Sequence, residues 1–131
     1  NTMLVQDGVF IYVPRGVVME RPIQLVNIFN SAAPMMGVRR LLVVVEDGAS
    51  AQLLICDHTQ NSEYRYLSSQ VVEAYVGKNA SLDIYDIEES SATTARYSQL
   101  FARQQRDSQL LVNGVTLSGG NTRNDYHIDL V

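Results

Sequence analysis

The chain has 131 residues, of which 46% are hydrophobic and 18% charged, and its net charge is −4. That is the size of one ordinary domain with enough apolar material for a core, which excludes a disordered segment, and the acidic balance argues against nucleic acid, which needs a basic face. No apolar run approaches the ~20 residues of a membrane-spanning helix, Asn1 to Gly8 does not read as a signal peptide, and the single cysteine, Cys56, cannot form an internal disulfide, so the expectation is a protein of the reducing cytoplasm with neither nucleic acid nor membrane as partner.

In chain order, the run from Gly8 to Val13 reads as a buried strand between Asp7-Gly8 and Pro14-Arg15-Gly16. Val17-Val18-Met19 reads as a shorter strand, and Ile23 to Phe29 as a third. Asn30 to Pro34 is a loop, with Met35 and Met36 beside it as gap-filling apolar residues. Leu41 to Val45 is a β-rich run without alternation, as expected where both faces are covered. Ala51 to Cys56 is the next strand, and Asp57 to Ser62 reads as a polar loop. Between Tyr64 and Val76 the pattern alternates, with Val72, Ala74 and Val76 on one side and Glu73 and Tyr75 on the other. Leu82 to Asp86 alternates too, and Glu88-Glu89 reads as the start of a solvated loop. The segment from Thr93 to Gln105 fits helical spacing, but it also fits period two with Ala95, Tyr97, Gln99 and Phe101 on one side; its neighbours make it a strand. Leu110-Leu-Val leads into Asn113-Gly114, a hairpin-type turn, then Val115 to Ser118, a turn at Gly119-Gly120, and an alternating strand from Asp125 to Leu130. The sum is about ten short strands and no secure helix.

One stretch orders the rest. Val45-Glu-Asp-Gly-Ala-Ser-Ala-Gln-Leu53 returns as Val76-Gly-Lys-Asn-Ala-Ser-Leu-Asp-Ile84, and weaker copies surround Gly16 and Asp107. The turn centres Gly16, Gly48, Asn79 and Asp107 are 32, 31 and 28 residues apart. Gly and Asn tolerate positive φ, so each copy reads as a tight turn between strands, and a near-constant period of this length signals stacked coils. The expected fold is therefore all-β, a parallel β-helix (solenoid) of short strands with these turns adjacent on neighbouring coils. Leu42, Val44, Leu53, Ile55, Val72, Ala74, Leu82, Ile84, Leu111 and Val115 are expected to supply most of its core. The chain opens and stops within strand-like sequence, so it is expected to be a piece of a longer protein with a raw end.

Two groups could carry chemistry. Cys56-Asp57-His58 offers a thiol, a carboxylate and an imidazole, and Cys56 with His58 could bind a soft metal or pair as nucleophile and base. In a continuing strand Cys56 and His58 share a face and Asp57 opposes them, which gives two ligands at best; the plainer reading is a cysteine ending a strand before a solvated Asp-His loop. Asp125, His127 and Asp129 fall on one face of the last strand and could hold a metal, against the plainer reading of a polar outer face. Cys56, His58 and His127 are thus weak metal candidates, and no catalytic or cofactor-binding residue is assigned. GxGxxG, Walker, GxSxG and HExxH patterns are absent.

The run Gly8-Val-Phe-Ile-Tyr-Val-Pro-Arg-Gly-Val-Val-Met-Glu-Arg-Pro-Ile-Gln-Leu25 resembles the entry to the core of the SufB/SufD family of the Suf iron–sulfur cluster assembly machinery. The similarity continues through Arg40-Leu-Leu-Val-Val-Val-Glu-Asp-Gly-Ala-Ser-Ala51, through Val76-Gly-Lys-Asn-Ala-Ser-Leu82, and into Gly119-Gly-Asn-Thr-Arg-Asn-Asp125. Cys56-Asp-His-Thr stands where SufB-type chains carry a Gly-Cys-Thr-Ala-Pro-like stretch, so the resemblance is closer to SufD. It implies a right-handed parallel β-helix core over residues 1–131, with flanking N- and C-terminal regions outside it. It also implies a non-enzymatic scaffold that pairs through this β-helix with SufB or with itself, as a homodimer through the C-terminal strands, and that works with the SufC ATPase through a C-terminal helical region. No cofactor is implied in this stretch; an iron–sulfur cluster or its precursors belong to the full complex. The competing classes are a carbohydrate- or metal-active β-helix enzyme and a purely structural β-solenoid.

Overall fold

Nine β-strands make up most of the computed structural model, which describes residues 2–131: β1 Asp7–Val13, β2 Ile23–Phe29, β3 Met35–Val45, β4 Ser50–Thr59, β5 Tyr66–Val76, β6 Ser81–Glu89, β7 Thr94–Gln104, β8 Gln109–Ser118 and β9 Asn121–Leu130. Odd-numbered strands form one sheet in the order β1-β3-β5-β7-β9, and even-numbered strands form a second, β2-β4-β6-β8. Every pairing is parallel and joins strands one coil apart. Each coil therefore lays one strand in each sheet and stacks on the coil before it, which is the expected parallel β-helix. A short 3-10 turn, Thr2–Leu4, precedes β1, and among the described residues no helix is long and apolar enough to cross a membrane.

The tight turns make the reversal from the first sheet to the second. Gly16, Gly48, Asn79 and Asp107 have φ of 71°, 66°, 54° and 58°, the left-handed region that Gly and Asn enter at least cost. The turns stack: the Gly16 N–H donates to the Asp47 carbonyl, Gly48 to Lys78 and Asn79 to Arg106, at 2.8–3.1 Å. Residues that hold equivalent places in the period thus lie on top of one another, as the spacing predicts. At Gly77 the stacking also limits size, because an added Cβ would lie 2.6 Å from the Asp47 backbone nitrogen.

Between the sheets the core is built from files of like residues. Val13, Val45 and Val76 form one file, and Leu53 and Ile84 another; all five are buried. Six of the ten expected core residues are there: Leu53, Ile55, Val72, Ala74, Leu82 and Ile84. Leu42, Val44, Leu111 and Val115 are not. In β3 it is Leu41, Val43 and Val45 that point inward, because they register with Val72, Ala74 and Val76. In β8, Leu110 and Val112 register with Leu82 and Ile84 and pack on the core, while Leu111 and Val115 are 47% and 45% exposed. An all-apolar run carries no phase of its own, and a one-residue slip exchanges the faces.

Other expectations give way to longer strands. Val17-Val18-Met19 is no strand; Val18 makes a single bridge to Ser50. Asp57, His58 and Thr59 continue β4 instead of opening a loop, and Glu88 and Glu89 end β6. Asn113-Gly114 lies inside β8, and Gly114 stacks on Asp86 where a side chain would face the Tyr126 hydroxyl 3.4 Å away. Met35 and Met36 do not fill a gap but begin β3 half exposed. The segment with two periodicities is strand, β7, with Tyr97 and Phe101 outward and Ser98, Leu100 and Ala102 buried.

Candidate functional site: a charged interior under an open last rung

The chain reverses direction at each tight turn, so the first halves of the β3, β5 and β7 strands face the second halves of β4 and β6. Near the tight turns the space between them is hydrocarbon. At the other end it is polar, with Asp57, Ser68, Gln70, Glu88, Thr94, Arg96 and Ser98 all buried.

Arg96 is the centre of this polar end, with 1% of its side chain exposed. Its Nε donates to Asp57 Oδ2 at 2.8 Å, its Nη2 donates to both oxygens of Asp86 at 2.8 Å, and its Nη1 donates to Asn124 at 3.0 Å. Asp57 also accepts from Arg39 and from Asn27 Nδ2. Arg39 reaches on to Gln70 at 2.9 Å and sits over the Phe29 ring, 5.5 Å from its centroid. Glu88 accepts from the hydroxyls of Ser90, Thr116 and Thr122, with Arg96 Nη1 3.9 Å away. Planar guanidinium groups suit such sites because their donors are fixed in a fork that matches carboxylates.

Three carboxylates, Asp57, Asp86 and Glu88, face two guanidinium groups here. Burial pushes the Asp86 carboxyl above its ordinary range, against the opposing pull of Arg96. Burial draws the Arg96 pKa down, but Asp86 and Asp57 outweigh it and the net shift is upward. Tyr126 is also raised, first by burial and then by the Asp86 charge. A proton on Asp86 would balance the interior. The buried charges satisfy each other, which is the condition under which such a network can exist at all. Among the described residues, Ser68 Oγ is the buried side-chain oxygen without a partner.

The residues singled out from sequence are placed differently. Cys56 and His58 do share the outer face of the even-numbered sheet, with Asp57 opposed to them. His58 Nδ1 lies 3.3 Å from Glu89 Oε2. Asp57, expected in a solvated loop, is 3% exposed and belongs to the interior network. Asp125, His127 and Asp129 line the outer side of β9, where His127 stacks on Phe101 with ring centroids 4.8 Å apart. Since β4 and β9 belong to different sheets, the two histidines face away from each other. Among the described residues no three His, Cys, Asp or Glu side chains gather as a metal site.

The network itself went unnoticed in the sequence, yet its signals were present. Asp57 and Glu88 are one period apart and stack beneath β8 with Asn27. Arg96 falls between Ala95 and Tyr97, which share one side of the strand, so it lies on the other side, with Ser98 and Leu100.

Above these coils lies the last rung. Tyr126, Ile128 and Leu130 of β9 stack on Leu100, Ala102 and Gln104 and are 49%, 47% and 81% exposed on the last described rung. At the first rung the interior also meets solvent, in a hollow lined by Asp7, Asn27, Arg39 and Gln70.

Comparison with known proteins agrees with this architecture. Residues 27–131 match the family model described as SUF system FeS cluster assembly, SufBD core domain, and residues 1–25 match the SufBD protein N-terminal region. A curated relative, "Protein ABCI7, chloroplastic" of Arabidopsis thaliana, is 28% identical over 134 residues. The match covers 98% of this chain and 28% of the relative, so the chain spans little more than a quarter of that protein's length. No solved structure matches the chain.

Proposed function

Given that the chain belongs to the SufBD family of iron–sulfur cluster assembly proteins, we propose that it is the β-helix core of a SufD-like, non-enzymatic scaffold subunit in that system. It pairs through its β-helix with a SufB-like subunit or with a second copy of itself, and the full protein works with a SufC-like ATPase in the cytoplasm. The cluster or its precursors are the cargo of the assembly. The observation that carries the reading is the parallel β-helix, two sheets stacked coil on coil, under a SufBD core match to residues 27–131; pairing would continue such sheets from one subunit into the next. SufD is favoured over SufB by Cys56-Asp-His-Thr, where the Asp57 carboxylate serves the interior in place of a SufB-like Gly-Cys-Thr-Ala-Pro stretch.

Co-expression of the full-length protein with SufB-like and SufC-like subunits tests this. The expected result is one complex holding all three. Isolation of the protein with neither, together with turnover of a glycan or another small substrate, would move the reading to a β-helix enzyme.

A further inference from the structure

The two outer faces of the solenoid differ in charge. On the odd-numbered sheet the outward positions mix signs, with Arg40, Glu73, Arg103, Arg123, Asp125 and Asp129. Those of the even-numbered sheet hold no Lys or Arg. Their formal charges are Asp83 and Glu89, with His58 beside Glu89. The nearest basic side chains lie in the tight turns, where Arg15 is paired with Asp47 and Arg106 with Asp107, and where Lys78 also stands.

Across this acidic face runs an unbroken apolar file. Val26 registers with Cys56, Cys56 with Ile87 and Ile87 with Val115, one residue from each of the four strands. Val26 and Val115 are 54% and 45% exposed, and Ile28 and Leu117 widen the file at its ends with 59% and 65%. Four strands at ~4.8 Å spacing make a stripe about 14 Å long, which about ten residues of α-helix would span.

We infer that this face docks an amphipathic helix of a partner protein whose apolar side is flanked by Lys or Arg. A helix suits this face because the strands beneath have spent their hydrogen bonds on one another and the apolar file is as narrow as a helix stripe. A segment lying on the face must therefore satisfy its own backbone. Basic flanks follow from Asp83 and Glu89, which lie to either side of the apolar file. A second copy of the same face would set acids against acids, which disfavours self-association here.

The test uses two helical peptides with the same Leu stripe, one flanked by Lys and one by Glu, titrated against the isotope-labelled protein by NMR. The Lys peptide is expected to bind, with shifts confined to β2, β4, β6 and β8 and weakened by salt. The double variant Asp83→Lys, Glu89→Lys keeps the apolar file and should lose at least tenfold in affinity for the Lys peptide while gaining for the Glu peptide. Equal binding of the two peptides, shifts centred on the odd-numbered sheet or the open rung, or no binding of the Lys peptide would each overturn the inference.

Discussion

Asp57 on β4 and Arg96 on β7, 39 positions apart in the chain, are joined at 2.8 Å inside the solenoid, with 2% and 1% of their side chains exposed. The same guanidinium holds Asp86, so one side chain ties the two sheets together across three coils. Truncating it should be severe. Arg96→Ala leaves Asp86 without its cation while Asp57 keeps Arg39 and Asn27, and breaking a buried pair in this way costs ~3–5 kcal/mol. Denaturant unfolding measures this. Arg96→Met combined with Asp57→Asn and Asp86→Asn should cost less than Arg96→Ala alone, because no buried charge is then stranded. A triple variant that is worse than the single would show that the ions contribute more than their mutual compensation.

The same network has a pH signature. Asp86 is raised above its ordinary 3.8 in the folded chain, chiefly by burial. The folded state thus binds this proton more tightly than the unfolded state. Stability from this group is full below 3.8 and declines as pH rises through the folded value. Asp86→Asn removes that decline. Plotted against pH, the variant's stability relative to the parent should rise across the window that begins near 3.8. A flat or falling difference would mean that Arg96 outweighs desolvation at this carboxyl.

Inward and outward positions on neighbouring coils should separate cleanly. Ile84 is 2% exposed and Leu111 47%. Ile84→Ala should cost ~2–5 kcal/mol, whereas Leu111→Ala should stay within about 0.5 kcal/mol in the isolated chain. Urea midpoints at constant slope check both. Similar losses at the two positions would place Leu111 in a packed environment.

How much of this was legible depended on what kind of signal each residue carried. The coil and its turns could be read because Gly16, Gly48, Asn79 and Asp107 repeat a backbone requirement that few residues meet. The face of β5 could be read because Glu73 and Tyr75 interrupt the apolar series. Within Leu41 to Val45 of β3 and Leu110 to Val112 of β8 nothing interrupts it, and the phase comes only from strand partners. Aligning Leu110 and Val112 with Leu82 and Ile84 through the shared turn would have supplied it. The polar interior defeated the opposite assumption, that charged residues mark loops and surfaces. By polarity Asp57 and Glu88 read as loop residues, yet each extends a strand inward, where Arg39, Arg96 and a set of hydroxyls satisfy it.

The turns should respond unequally to substitution. At φ of 66°, Gly48 has no steric conflict, and a β-branched residue would enter the left-handed region at a cost of ~1–2 kcal/mol. Gly48→Val should therefore lower stability by that amount, although nothing lies within 4 Å of the added Cβ. Asp107 adopts the same conformation at φ 58°, so Asp107→Gly relieves strain even as it frees the unfolded chain, and should come out close to neutral. Thermal melts of the two variants are the measurement, and a large loss for Asp107→Gly would reveal a role for its carboxylate beyond the exposed pair with Arg106.

We propose that the 131-residue chain self-associates through its last rung. Its inward residues Tyr126, Ile128 and Leu130 stack on files that begin in the buried core and are 49%, 47% and 81% exposed. No proline lies within β9, and its outer backbone edge pairs with no strand among the described residues, so in the 131-residue chain it can recruit another strand. A two-fold dimer through roughly Leu110 to Val131 would continue both sheets across the axis and should bury at least ~1,000 Å² in total. Sedimentation of the 131-residue chain over a wide concentration range should show a monomer–dimer equilibrium. Ile128→Lys places a charge in the centre of the exposed row and should shift that equilibrium to monomer, while the melting temperature of the monomer reads separately the packing lost against Ala102. If the parent chain stays monomeric at the highest concentration reached, self-pairing through this edge is excluded. If Ile128→Lys dimerises as well as the parent, the interface lies elsewhere on the solenoid.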